Sequence, residues 1–195
     1  KHEGEELGLG LTELSDAAAE SLSKHGGWLI LNGLTELSDA AAESLSKKGG
    51  ELTIDGLTKL SDSVAEIFSK REGYISLGGL TKLSDAAAET LSRHKGELYF
   101  EGLARLSDAA AESLSKLQNH LNLGGLTTLS NAAAESLSKL QTHLNLGGLT
   151  NISHTGAGFF SQFSGKFFPD DDYPWGSPVE PDEWLAQFDH VRFEG

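Results

Sequence analysis

The pair Gly-Leu recurs at Gly10, Gly33, Gly56, Gly79, Gly102, Gly125 and Gly148, a step of 23 residues repeated without insertion. A constant step of this length marks one supersecondary unit stacked on itself, since so short a unit buries its apolar face only against its neighbours. Two periodicities alternate inside the unit and divide it into a strand and a helix. In the strand, Leu29 and Leu31 return as Leu52 and Ile54, Ile75 and Leu77, Leu98 and Phe100, Leu121 and Leu123, and Leu144 and Leu146. Period two puts each pair on one face, toward the core. The intervening residues leave by the opposite face. They form one column of Trp28, Glu51, Tyr74, Glu97, His120 and His143, and a second of Ile30, Thr53, Ser76, Tyr99, Asn122 and Asn145; both are expected to be exposed.

After the strand, Gly33 and its equivalents predict a turn that a Cβ would resist, with Leu34 and Leu37 returning to the core. The segment SDAAAESLSK predicts a short helix, capped by Ser15 or Asp16, rich in Ala, with Glu20 four residues before Lys24. The third copy identifies the buried face, because Val64 and Phe68 stand there in place of Ala18 and Leu22. Gly27, Gly50, Gly73 and Gly96 are expected to end the helices in the left-handed conformation, with Asn119 and Thr142 as substitutes. A helix of about ten residues is marginal alone in water, so its stability must come from adjoining repeats.

The pattern of Leu29, Leu31, Leu34 and Leu37 followed by a helix resembles a leucine-rich repeat, and GLTELSDAAAESLSKH is similar to repeats in long proteins of bacteria such as the planctomycetes. The resemblance covers residues 10–153. In place of the Asn that usually follows the strand in that family stand Leu34, Leu57 and Leu80. The family implies an α/β solenoid with parallel strands on one face and short helices on the other. It also implies partner recognition on the strand side, and no chemistry.

The unit changes at both ends. Residues 1–9 read as an incomplete N-terminal repeat: the chain begins inside a repeat, and Glu6 and Gly8 fall where later copies carry inward Leu, so the first strand is shifted or frayed. The N-terminal edge is poorly capped, as in a truncated array. Residues 154–195 read as an aromatic-rich C-terminal cap. Phe159, Phe160, Phe163 and Phe167 recur there at helical spacing, and Pro181 opens a short helix that buries Trp184, Leu185 and Phe188.

A formal charge of -14, from 15 Lys and Arg against 29 Asp and Glu, disfavours nucleic acid or anionic lipid as a partner. No apolar run is long enough to span a bilayer. With no Cys there is no disulfide, thiolate zinc site or cysteine nucleophile, and the cellular compartment stays open. No cofactor is expected.

Glu97, His120 and His143 share a column on strands about 4.8 Å apart and are the candidate zinc ligands, the alternative being solvated side chains on a recognition face. Asp170, Asp171 and Asp172 read either as calcium ligands or as a solvated acidic loop. The row Asp16, Asp39, Asp62, Asp85 and Asp108 passes to Asn131 in the next copy, which suits hydrogen bonding at helix starts better than metal binding.

The strand face is the expected binding surface, formed by Trp28, Ile30, Glu51, Tyr74, Glu97, Tyr99, Glu101, His120 and His143. Large rings among acids there suit a protein or peptide carrying basic residues. Other domains of a longer parent chain are further candidate partners. The leading expectation is therefore a non-catalytic interaction module or scaffold; the alternatives are a structural spacer in a larger surface or multidomain protein, and an enzyme fragment. For the last, only the scattered His154, Asp189 and His190 are at hand, with no nucleophile beside a base and no Gly-rich phosphate loop.

Overall fold

A computed structural model describes residues 5–167 and 178–188. Seven two-residue strands lie side by side in chain order: β1 (Leu7–Gly8), β2 (Leu29–Ile30), β3 (Leu52–Thr53), β4 (Ile75–Ser76), β5 (Leu98–Tyr99), β6 (Leu121–Asn122) and β7 (Leu144–Asn145). Every pair is parallel. Between them run α1 (Asp16–Leu22), α2 (Asp39–Ser46), α3 (Asp62–Ser69), α4 (Asp85–Leu91), α5 (Asp108–Leu114) and α6 (Asn131–Leu137), followed by α7 (His154–Phe160) and α8 (Pro181–Ala186). The result is the expected α/β solenoid: an open parallel sheet, a helix layer, and a core between them built from Leu29, Leu31, Leu34, Ala41, Ala42, Leu45 and their equivalents. Leu37 is only partly buried, at the margin of that core.

The helices start as their sequence requires. Ser38 has extended backbone, and its hydroxyl oxygen accepts a hydrogen bond from the Ala41 amide at 3.1 Å. Ser is therefore the cap, and Asp39 lies one residue inside the helix. The same hydroxyl donates to Asp16 of the preceding repeat at 2.7 Å, and Ser84 donates likewise to Asp62 at 2.7 Å. Ser107, Ser130 and Ser153 continue this ladder onto Asp85, Asp108 and Asn131. In the third repeat the extra hydroxyl of Ser63 takes over the contact, donating to Asp39 at 2.8 Å. The Asp row is thus a set of acceptors for the next repeat, a task that Asn131 also performs. On the solvated face, Glu66–Lys70 and Glu135–Lys139 pair at 3.1 Å in the favourable order.

The left-handed conformation expected of the glycines after the helices is met at Gly50 and Gly73 and not at Gly96. Helix α2 ends at Ser46 with a right-handed Lys47, and among the described residues only Gly50 and Gly73 have positive φ, at 76° and 93°. What Gly96 and most of the glycines of the Gly-Leu pairs supply is room between repeats. A Cβ on Gly96 would lie 1.8 Å from the carbonyl oxygen of Gly73, and one on Gly125 would lie 1.8 Å from that of Glu101.

A second inter-repeat device occupies the residue two before Gly50, Gly73 and Gly96. Lys48 is buried, and its ammonium donates to the carbonyls of Gly27 at 2.5 Å, Gly49 at 2.7 Å and Glu51 at 3.0 Å. Arg71, also buried, donates to Tyr74 O at 2.8 Å and to Gly50 O. His94 sits between Phe68 O at 3.1 Å and Gly73 O at 2.9 Å. Burial draws Lys48 down to about 8 and Arg71 down to about 10, Lys48 being further lowered by the charge of Arg71. Leu117 and Leu140 fill the same position in later repeats and make this column apolar there.

At the start of the chain the strand is shifted. Leu7 pairs with Leu29 and Gly8 with Ile30, a step of 22 that brings Leu7 into an inward position where the regular step would have put Glu6. At the other end the 23-residue step outlasts the Gly-Leu pair. Phe160, Phe163 and Phe167 stand 23 residues after Leu137, Leu140 and Leu144, and Phe167 bridges Leu144 in parallel. The Phe residues are therefore not one helical stripe: Phe160 ends a helix and Phe167 lies in the sheet. Phe167 also bridges Val179 in antiparallel fashion, which occupies the open edge of the sheet. Helix α8, with Pro181 in its first turn, brings Trp184 over the end of the core. Trp184 stacks on Phe167 with centroids 4.1 Å apart and meets Phe188 at 4.9 Å. Among the described residues no helix is long and apolar enough to cross a membrane.

The crowding at the turn glycines sets the first expectation. Gly125→Ala should cost about 1–3 kcal/mol through overpacking against backbone. Gly158→Ala, in the middle of α7 where an added Cβ meets nothing within 4 Å, should be neutral or stabilise by up to about 1 kcal/mol. Urea unfolding of the two variants would separate them, and equal effects would refute this account of the glycines.

Candidate functional site

The outward columns meet along the sheet as a chain of rings. Trp28 touches Tyr74 edge-on with centroids 6.0 Å apart, so the two large side chains lean toward each other across the intervening repeat. Tyr74 packs on Tyr99 at 4.6 Å, Tyr99 stacks on His120 at 5.1 Å, and His120 meets His143 at 6.3 Å. The strand spacing produces this. Side chains leaving the same face of neighbouring strands stand about 4.8 Å apart, within stacking distance for planar groups.

Exposure along the ladder is graded, and this corrects the expectation that both columns face solvent throughout. Trp28 is 37% exposed, whereas Tyr99 is 3% and His120 2% exposed. Ile30, Glu51, Tyr74, Glu97 and His143 are half-buried, and Glu101 is exposed. Asn122 and Asn145 are fully buried, and each accepts from a nearby amide, Gly124 N–H at 2.8 Å and Gly147 N–H at 2.7 Å. Thr53 and Ser76 are buried too, Thr53 accepting from the Trp28 indole N–H at 2.9 Å. Alternation fixes the side from which a residue leaves the sheet. It does not fix accessibility, because same-face neighbours close over one another.

The accessible part of the face is acidic. Ser76 donates to Asp55 at 2.5 Å, and the Gly78 amide donates to the same oxygen at 2.7 Å, so Asp55 is held at the end of the strand layer. Burial raises the Tyr74 phenol well above its ordinary value; its hydrogen bond with Ser76 opposes that, and the carboxylates of Asp55, Glu101 and Glu51 raise it further. Tyr74 is therefore ringed by negative potential. Asn122 donates to Glu101 at 3.3 Å, tying the carboxylate to the next strand.

Among the described residues no group of three or more His, Asp or Glu is arranged to hold a metal ion, so Glu97, His120 and His143 share a column without forming such a cluster. His120 is pushed down to about 3 by burial and then by His143 beside it. Burial also lowers His143, with Lys166 adding to the shift. Asp170, Asp171, Asp172, Asp189 and His190 lie outside the described residues. His154 starts α7 at the helix edge, on the part of the chain opposite the strand columns.

No protein-family model matches the chain, and no curated protein matches it either. Geometry therefore has to carry the functional argument. Sequence reading missed the buried polar side chains Lys48, Arg71 and His94, although their signal was present: His25, Lys48, Arg71, His94, Leu117, Leu140 and Phe163 share one position at the 23-residue step.

The sign of the His120 shift makes a testable statement. An unfolded histidine takes up a proton near its ordinary 6.5, while folded His120 stays neutral down to about 3. Between those values the unfolded state binds more protons, so acidification lowers stability. His94 and His143, also lowered, act with the same sign. Urea unfolding at pH 7 and pH 4.5 should show a loss on acidification that is smaller in His120→Phe, which keeps a ring in the stack. An unchanged slope would assign the loss elsewhere.

Proposed function

We propose that the chain is a non-catalytic interaction module of leucine-rich-repeat type whose strand face binds a basic segment of a protein or peptide partner. The ladder from Trp28 to His143 carries this reading, because it joins a run of aromatic surface to carboxylates in the same columns. Trp28 and Tyr74 supply amphipathic contact area at the accessible end. Glu51, Asp55 and Glu101 surround Tyr74 and favour an arriving Lys or Arg over any other side-chain class. Ile30 and Glu97 extend the contact, while Tyr99, His120 and His143 serve as its rigid floor. In this reading the chain performs no chemistry and needs no cofactor.

Recognition by the accessible rings makes a definite expectation for binding. Against an array of Lys- and Arg-rich peptides with an apolar anchor, the Trp28→Ala/Tyr74→Ala variant should lose at least about tenfold in affinity by fluorescence polarisation. Its circular dichroism should be unchanged, and added salt should weaken the unmodified protein. Retained affinity in the variant would move the site off this face. If no basic peptide binds the unmodified chain, the spacer reading stands instead.

A further inference from the structure

The two accessible rings of the strand face have their polar groups committed to the sheet. The Trp28 indole N–H donates to Thr53 at 2.9 Å, and the Tyr74 hydroxyl hydrogen-bonds with Ser76. Thr53 and Ser76 are register partners on β3 and β4, so both rings are tied to one pair of buried hydroxyls. What the rings have left to offer an arriving group is π surface. Their planes stand 70° apart, so a flat group laid on one ring turns its edge along the other.

Asp55 supplies a carboxylate beside this corner. Its own amide donates to Asn32 at 3.1 Å, and its Oδ1 accepts from Ser76 at 2.5 Å and from the Gly78 N–H at 2.7 Å. Both side-chain bonds fall on one oxygen, which leaves Oδ2 without a partner among the described residues. Asp55 is half-buried, and no Lys, Arg or His of the described residues forms an ion pair with it. Gly78 leaves it uncovered: a Cβ there would lie 3.0 Å from Oδ1, and the same position in other repeats carries Asn32, Asp55 or Glu101. Ser76 joins the Tyr74 hydroxyl to this carboxylate, so ring and charge are held together by one buried side chain.

These features discriminate between cations. An ammonium is a compact, strongly hydrated charge, and a corner whose ring donors and acceptors are already engaged replaces little of that hydration. A guanidinium is weakly hydrated, stacks on aromatic rings and keeps its N–H groups in its own plane, where they reach a carboxylate oxygen at its edge. We infer that the Trp28–Tyr74 corner and Asp55 form a subsite selective for an arginine side chain of the partner, its guanidinium lying on a ring and donating to Asp55 Oδ2. This assignment rests on the strand face being the binding surface. Glu51 and Glu101 add an attraction that any cation feels, so the selectivity resides in the rings and Asp55.

The test uses a fluorescein-labelled peptide of alternating Leu and Arg, and its counterparts with Lys, trimethyl-lysine or citrulline in place of each Arg, measured by fluorescence polarisation on the full chain. The Arg peptide should bind at least about tenfold more tightly than the Lys and citrulline peptides. Asp55→Asn keeps an Oδ1 acceptor for Ser76 and Gly78, as Asn32 does at the same position for the Asp55 amide. It should shrink the Arg-over-Lys ratio to about threefold or less. Glu101→Gln should weaken both peptides alike and leave the ratio unchanged. Equal affinity for the Arg and Lys peptides, or an unchanged ratio in Asp55→Asn, would overturn the arginine selectivity and leave the binding face standing. Tightest binding of the trimethyl-lysine peptide would also overturn it, in favour of a quaternary ammonium. If none of the four peptides binds, or if Trp28→Ala/Tyr74→Ala retains full affinity, the strand face is not the binding surface and the subsite falls with it.

Discussion

The distance between one repeat's backbone and the next governs this molecule. Parallel strands lie about 4.8 Å apart, and the turns that follow them must close to the same spacing if the stack is to remain regular. At that separation the carbonyl of one turn occupies the volume a Cβ would need in the next, as at Gly96 and Gly125. Ala41, Ala42 and their equivalents keep the helix layer equally close to the sheet. An insertion in any copy would push two turns out of step, which explains why the 23-residue period holds so strictly. The ring ladder follows from the same spacing: planar side chains stack at the distance the backbone has already imposed.

The strand and helix positions were legible because a short unit repeated many times displays its periodicities without ambiguity. Leu29 and Leu31 face inward, and Val64 and Phe68 mark the buried side of the helix, as period and substitution indicate. Accessibility was less legible. Tyr99 and His120 leave the sheet on the expected side and are nevertheless buried, since alternation describes direction and not what neighbours cover. Gly96 departed from its expectation for a related reason: the left-handed rule holds at Gly50 and Gly73, whereas contact with the preceding repeat decides at Gly96. The shift of β1 was one of the two alternatives that Glu6 and Gly8 indicated, whereas the in-step Phe160, Phe163 and Phe167 were hidden by a change of residue type.

Polar side chains in this fold bond across repeats as well as within them. The cap hydroxyls of Ser38, Ser84, Ser107, Ser130 and Ser153 each accept from their own helix and donate to the preceding repeat, so one side chain serves local and tertiary structure together. Lys48 and Arg71 perform the same double service for turn carbonyls, each donating within its own repeat and to the repeat before it. His94 faces two carbonyls that a neutral imidazole, with a single N–H, cannot both satisfy, while burial and Arg71 oppose the second proton. The candidate binding face inherits this rigidity: Asp55 is anchored by Ser76 and Gly78, and its charge is presented from a fixed position.

The change of the turn column from Lys48, Arg71 and His94 to Leu117 and Leu140 divides the solenoid into halves with different thermal responses. Apolar burial weakens as water is cooled. The cost of withdrawing a cation from water falls on heating. The turns of the last repeats are therefore the ones most exposed to loosening in the cold, and the cationic turns of the earlier repeats gain relative to them as temperature rises. A single array of nearly identical units thus carries a built-in gradient in how its turns respond to temperature, written at one position in each copy.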